Sequence, residues 1–165
     1  MRIALVVAAA AVCAAAASGA PRAALPCATS QLSAKLGETQ GAAGTIVFGV
    51  VFTNVSRDRC SLGGYPALQM KNARGNVATR VKHGGLAFLV KPVRSFIVNP
   101  GGRATVVIAY SDVPHGAEKT CPTATSLVVR PAGAVRGVAV KVRITACNRG
   151  LLYESPLLRG RIALP

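Results

Sequence analysis

Thr45-Ile46-Val47-Phe48-Gly49-Val50-Val51-Phe52-Thr53-Asn54 is a run of β-branched and aromatic residues with a period of two. Ile46, Phe48, Val50 and Phe52 share one face, and Val47 and Val51 share the other. Side chains along a strand alternate between the two faces of its sheet, so a strand apolar on both faces belongs in the interior of a sheet. Further along, Val138, Val140, Val142 and Ile144 alternate with Ala139, Lys141, Arg143 and Thr145, which gives one buried and one wet face. Short strands are also predicted at residues 60–62, 67–71, 95–98, 103–110, 126–130 and 151–155. Residues 77–81 read as the hairpin partner of 67–71 across the loop Asn72-Ala73-Arg74-Gly75-Asn76. Residues 31–40 fit either a first edge strand or an ordered loop. Asn99-Pro100-Gly101-Gly102 suits a type II turn, in which proline pre-sets φ and glycine accepts positive φ. Roughly seven to nine short strands, punctuated by Gly and Pro and with no amphipathic helix, argue for an all-β sandwich or barrel.

The chain has 165 residues, room for a leader and one domain. Met1-Arg2 is a short positive start, residues 3–17 are uninterrupted and apolar, and Ser18-Gly19-Ala20 are small. That order is the pattern of a secretory signal peptide, and the apolar run is shorter than the ~20 residues a spanning helix needs. Small residues favour cleavage after Ala17 or Gly19, and Pro21 disfavours cleavage after Ala20. The expected organisation is a signal peptide over 1–19, a short tether over 20–26 and a single domain over 27–165, exported and extracytoplasmic. No other segment is long and apolar enough to span a bilayer.

Of the five cysteines, Cys13 lies in the leader and leaves with it. Val12 before it is the wrong size for a lipid-attachment site. Cys27, Cys60, Cys121 and Cys147 remain, an even number in a chain bound for an oxidising compartment. Four cysteines allow three pairings. Nearest-in-sequence pairing gives Cys27–Cys60 and Cys121–Cys147, each closing a loop of about 30 residues and contributing roughly 3.5–4 kcal/mol in the chain-entropy view.

Certain blocks, taken in order, resemble a known family. They are Cys27; Ala43-Gly44; Phe52-Thr53-Asn54; Cys60-Ser61-Leu62-Gly63-Gly64-Tyr65-Pro66; Phe96-Ile97-Val98-Asn99-Pro100-Gly101-Gly102-Arg103-Ala104; Tyr110-Ser111-Asp112-Val113-Pro114; Cys121-Pro122; Val128-Val129-Arg130-Pro131; Ala146-Cys147; and Glu154-Ser155-Pro156-Leu157. Together they resemble the domain of unknown function 4232 family of secreted proteins and lipoproteins, mostly of actinobacteria. The resemblance implies an immunoglobulin-like antiparallel β-sandwich outside the cytoplasm, and no activity. It gives Gly64, Pro100 and Gly101 turn roles, the cysteines cross-links, and Asn54 bonds to loop backbone.

No motif asks for a cofactor or places a nucleophile on a strained elbow. Asp112, His115 and Glu118 sit at spacings of three on one predicted loop with Cys121 beyond, which reads as a solvated acidic loop before it reads as a metal site. His83, among Arg80, Lys82 and a glycine pair, reads as a surface histidine with no carboxylate nearby. Asn54-Val55-Ser56 matches a glycosylation sequon by chance.

Charge is the informative feature. There are 20 Lys and Arg against 5 Asp and Glu, a formal +15. Such a chain is drawn toward anions. With no tryptophan and few other aromatics, base stacking is poorly served, which argues against nucleic acid as a partner. Between Asp58 and Asp112 there is no acid but there are Arg59, Lys71, Arg74, Arg80, Lys82, Lys91, Arg94 and Arg103, several of which are expected to converge at one end of the sandwich, with Lys71, Arg74, Arg80, Lys82, Lys91 and Arg94 the candidates for an anion-binding site. The function favoured is a secreted, non-catalytic binding or structural module for anionic envelope polymer or lipid headgroups. An interaction domain for another exported protein is the alternative, and a metal-dependent hydrolase a remote one.

Overall fold

The structure is a computed structural model that describes residues 24–164. The expected signal peptide, and all of the tether before residue 24, lie outside the described residues. The strands are β1 (Leu32–Ala42), β2 (Thr45–Asn54), β3 (Cys60–Gly63), β4 (Ala67–Asn72), β5 (Gly75–Asn76), β6 (Arg80–His83), β7 (Ser95–Val98), β8 (Arg103–Ser111), β9 (Thr123–Arg130), β10 (Val138–Thr145), β11 (Leu151–Glu154) and β12 (Leu158–Arg159). Among the described residues that makes twelve, more than the seven to nine read from the sequence. The additions include β1, which settles the ambiguous residues 31–40 as strand, and the two-residue β5 and β12.

One sheet runs β1-β2-β8-β11-β6, with β12 also on β8. A second runs β10-β9-β4-β5, and β3 pairs with β7 in a separate ribbon. Of the sandwich or barrel that the strand pattern allows, the all-β sandwich that the resemblance implies is the architecture found. The two-faced β2 is interior, as its pattern requires. It pairs with β8 so that Phe48 lies opposite Ile108 and Val50 opposite Val106. These side chains meet Leu68, Met70, Leu127, Val129, Val140 and Ile144 of the second sheet in one buried cluster.

The other apolar face of β2 has its own cover. Val47, Val107 and Ala109 pack beneath Leu89 of the 3-10 turn Ala87–Leu89 and Leu164 of the C-terminal tail. A third, thin layer therefore backs the six-stranded sheet, and this explains why both faces of one strand are hydrophobic. Complete burial of each such side chain contributes roughly 1.5–3 kcal/mol.

The turns follow the residue chemistry. Gly101 has φ +73° and the Gly102 amide donates to the Asn99 carbonyl at 2.8 Å, the type II turn expected. Both disulfides pair nearest neighbours, Cys27–Cys60 with Cα atoms 4.8 Å apart and Cys121–Cys147 at 4.5 Å. The first holds the N-terminal segment to β3, where the Cys27 amide donates to the Ser61 carbonyl and the Ser61 amide to the Leu25 carbonyl.

One expectation fails. Residues 77–81 are not a hairpin partner of β4. The strand that pairs back on it is Gly75–Asn76, opposite Asn72 and Lys71, and the Val77 amide still donates to the Met70 carbonyl at 2.9 Å. The chain then leaves that sheet, and β6 joins the other as an edge strand parallel to β11. The crossing is held by Gln69, whose side-chain amide donates to the Val77 carbonyl at 2.9 Å, and by the Met70 amide, which donates to the Thr79 hydroxyl at 3.0 Å.

Candidate anion-binding surface

Leu68 and Met70 of β4 are buried, so the intervening Gln69 and the following Lys71 face outward. Lys71 pairs with Ser126 of β9, and Ser126 in turn pairs with Lys141 of β10. These three residues form one row across the outer face, with the lysine Cα atoms about 10 Å apart, or two strand spacings. Arg143 is exposed further along β10, Arg130 is exposed at the end of β9, and Arg74 lies in the β4–β5 turn. No carboxylate occurs in β4, β5, β9 or β10. The outer face of the four-stranded sheet is thus cationic without an internal counter-charge.

The six basic residues named from the sequence come from several elements. Lys71 and Arg74 belong to the four-stranded sheet, whereas Arg80 and Lys82 lie on β6 at the edge of the six-stranded one. Lys91 and Arg94 sit in the exposed segment before β7. There Arg94 lines a cleft with Phe96 and Arg159, and the Arg159 guanidinium lies 5.3 Å from the centre of the Phe96 ring. The chain changes sheets between residues 76 and 80. Lys141, Arg143 and Arg130 were not among the candidates, although the strict alternation of β10 had already placed Lys141 and Arg143 on a wet face.

The structure gives the acidic loop's Glu118 a role within the chain. Both carboxylate oxygens of Glu118 are engaged by backbone, accepting from the Asn148 amide at 2.7 Å and the Arg149 amide at 3.0 Å. Asn148 and Arg149 both have positive φ, so the turn Cys147–Gly150 presents consecutive amides to one anion. The Arg149 amide is the main cause that holds the Glu118 carboxyl below its ordinary pKa. The neighbours that approach Glu118 as ligand-type groups are Cys121 and Cys147, and their sulfurs are bonded to each other. Asp112 and His115 do not join Glu118 in a three-group cluster among the described residues.

His83 is not the isolated surface histidine expected. Its Nε2 lies 3.3 Å from Oε1 of Glu154, and its ring stacks on Tyr65 with centroids 3.9 Å apart and planes 7° from parallel. Glu154 has no exposed surface, and among the described residues neither of its side-chain oxygens accepts a hydrogen bond. Burial alone pushes its pKa up to about 8. Sequence separation hid this pair, because β6 and β11 are adjacent only in space. The parity was readable, since Glu154 follows the core residue Leu152 by two positions.

Asn54 is also buried and fully used. Its side-chain amide donates to the carbonyls of Asp58 at 2.8 Å and Val98 at 3.0 Å, and its oxygen accepts from the Ser56 amide and hydroxyl. The loop-bonding role implied by the resemblance holds, and the sequon nitrogen is inaccessible in the folded chain.

The architecture defines an all-β sandwich domain braced by two disulfides, a chemistry that fits an extracytoplasmic protein. The chain belongs to the family described as Domain of unknown function (DUF4232), which matches residues 27–155, as the ordered motif blocks suggested. No curated protein and no solved structure matches it. Among the described residues no helix is long and apolar enough to cross a membrane.

Proposed function

We propose that this protein is a non-catalytic extracytoplasmic module that associates electrostatically with an anionic polymer of the cell envelope. The observation that carries the reading is the outer face of β4, β9 and β10, where the Lys71–Ser126–Lys141 row and Arg143 lie on strands without a single carboxylate. A flat sheet face suits an extended polyanion better than a compact ligand. Arginine adds forked donors that match phosphate and carboxylate oxygens.

The test is retention on isolated wall fragments and anionic liposomes across a salt series. Retention should fall steadily with the logarithm of salt concentration, and Lys71→Gln with Lys141→Gln and Arg143→Gln should weaken it by about tenfold or more at low salt. Retention that ignores salt, or its absence at low salt, would rule this reading out.

A second reading has one supporting observation. All four residues of β6 are exposed at a sheet edge, open to an added strand from another exported protein. Arg80 and Lys82 on that edge are of the kind that discourages indiscriminate pairing.

A further inference from the structure

A cleft of about 550 Å³ lies on the outer face of the six-stranded sheet, away from the cationic face of the other sheet. Its floor follows from strand register. Ser33 of β1 pairs with Thr53 of β2, which pairs with Arg103 of β8. The next row on the same face begins with Lys35 opposite Val51. Leu32, Phe52 and Ala104 are buried toward the core, so their neighbours Ser33, Thr53 and Arg103 must face the cleft.

The C-terminal tail forms the wall. β12 pairs with β8, the Thr105 hydroxyl donates to the Gly160 carbonyl at 2.7 Å, and the Gly160 amide donates to the Arg103 carbonyl at 2.8 Å. These bonds set Arg161 and Ile162 at the rim. The other end of the tail is fastened by the Leu164 amide, which donates to Glu38 Oε2 at 3.4 Å.

Three cations thus reach one cleft from three separate elements. Among the described residues, no side chain pairs with the head groups of Lys35, Arg103 or Arg161. Glu38, the one carboxylate in the lining, accepts from the Leu164 amide through Oε2. The lining carries two net positive charges, which match a phosphate monoester of about −1.5 to −2 at neutral pH better than a single carboxylate. The volume exceeds that of a bare ion and falls in the range of small-molecule sites.

We propose that this cleft binds a soluble organic phosphate monoester, with Lys35, Arg103 and Arg161 on the phosphate and the carbon skeleton along Leu36, Val51 and Ile162. This site is independent of the sheet face on the other side of the sandwich.

The experiment is a titration of the purified chain with glucose 6-phosphate, followed by calorimetry and amide chemical shifts. Saturable binding should perturb residues 33–38, 51–53, 103 and 160–162. Arg103→Gln combined with Arg161→Gln should weaken it by about tenfold or more, while Lys71→Gln with Lys141→Gln leaves it unchanged. Both arginines are exposed, so the double variant should retain the wild-type circular dichroism. Unphosphorylated glucose should bind at least about tenfold more weakly. Equal binding of glucose, equal binding by the double variant, or shifts confined to β4, β9 and β10 would overturn the proposal. Capture by phosphatidic acid vesicles without binding of glucose 6-phosphate would overturn it in favour of a lipid headgroup.

Discussion

Glu154 puts a carboxyl group where the sandwich offers it no hydrogen bond, and its pKa rises from 4.5 to about 8 through burial. The unfolded chain releases this proton near 4.5, whereas the native chain holds it until about 8. Within that window the native state binds more protons than the unfolded state, so stability falls as pH rises, by up to about 1.4 kcal/mol per pH unit from this group. Below the window its contribution is fully present, and above it the loss is complete. Glu154→Gln keeps the shape and removes the ionisation. Urea midpoints of the wild type should therefore drop relative to the variant between pH 5 and pH 8, by a total on the order of a few kcal/mol. A difference that stays flat across this range would mean the carboxyl is ionised in the fold. The residue was visible in the sequence, but its partner was not. Alternation places Glu154 on the same face as Leu152, while only the parallel pairing of β6 with β11 brings His83 to 3.3 Å.

The elements that were legible are those whose environment is encoded locally. β2 and β10 announce their faces by alternation, and Gly101 announces its turn. β6 was misplaced because Arg80–His83 carries no apolar face and its partner lies some 70 residues away, so neither periodicity nor turn chemistry reports its pairing. The cleft was illegible for a related reason. Lys35, Arg103 and Arg161 are far apart in the chain and meet only through sheet register and the returning tail. The β1–β2 hairpin offers a test at this scale. Its two turn residues, Ala43 at φ +49° and Gly44 at φ +76°, both lie in the left-handed region that primed two-residue hairpin turns require. Alanine pays a steric penalty there, and asparagine tolerates the region better. Ala43→Asn should stabilise the fold by about 0.5–1 kcal/mol, read as a higher urea midpoint at unchanged slope. A lower midpoint would mean that the hairpin leaves this geometry in solution.

For the molecule as a whole, the +15 charge acts in two opposite ways. Of the five acids, Glu154 is buried with its pKa pushed up to about 8, so at most four carboxylates balance the basic residues at neutral pH. Like charges repel within the folded chain and weaken it, while the same charges attract a polyanion. Raising salt from about 10 to 150 mM shortens the screening length from roughly 30 to 8 Å. Screening should relieve the self-repulsion and raise Tm by a few degrees, on the order of 1 kcal/mol. It should simultaneously release the protein from wall fragments. The two disulfides hold the sandwich through both changes, so the fold persists across the series and the two readouts compare the same molecule. Opposite signs, with Tm up and retention down, are expected only where the surface is an uncompensated field of cations. If Tm instead falls with salt, favourable ion pairs dominate the native surface, and the cationic face is neutralised by its own chain rather than held open for a partner.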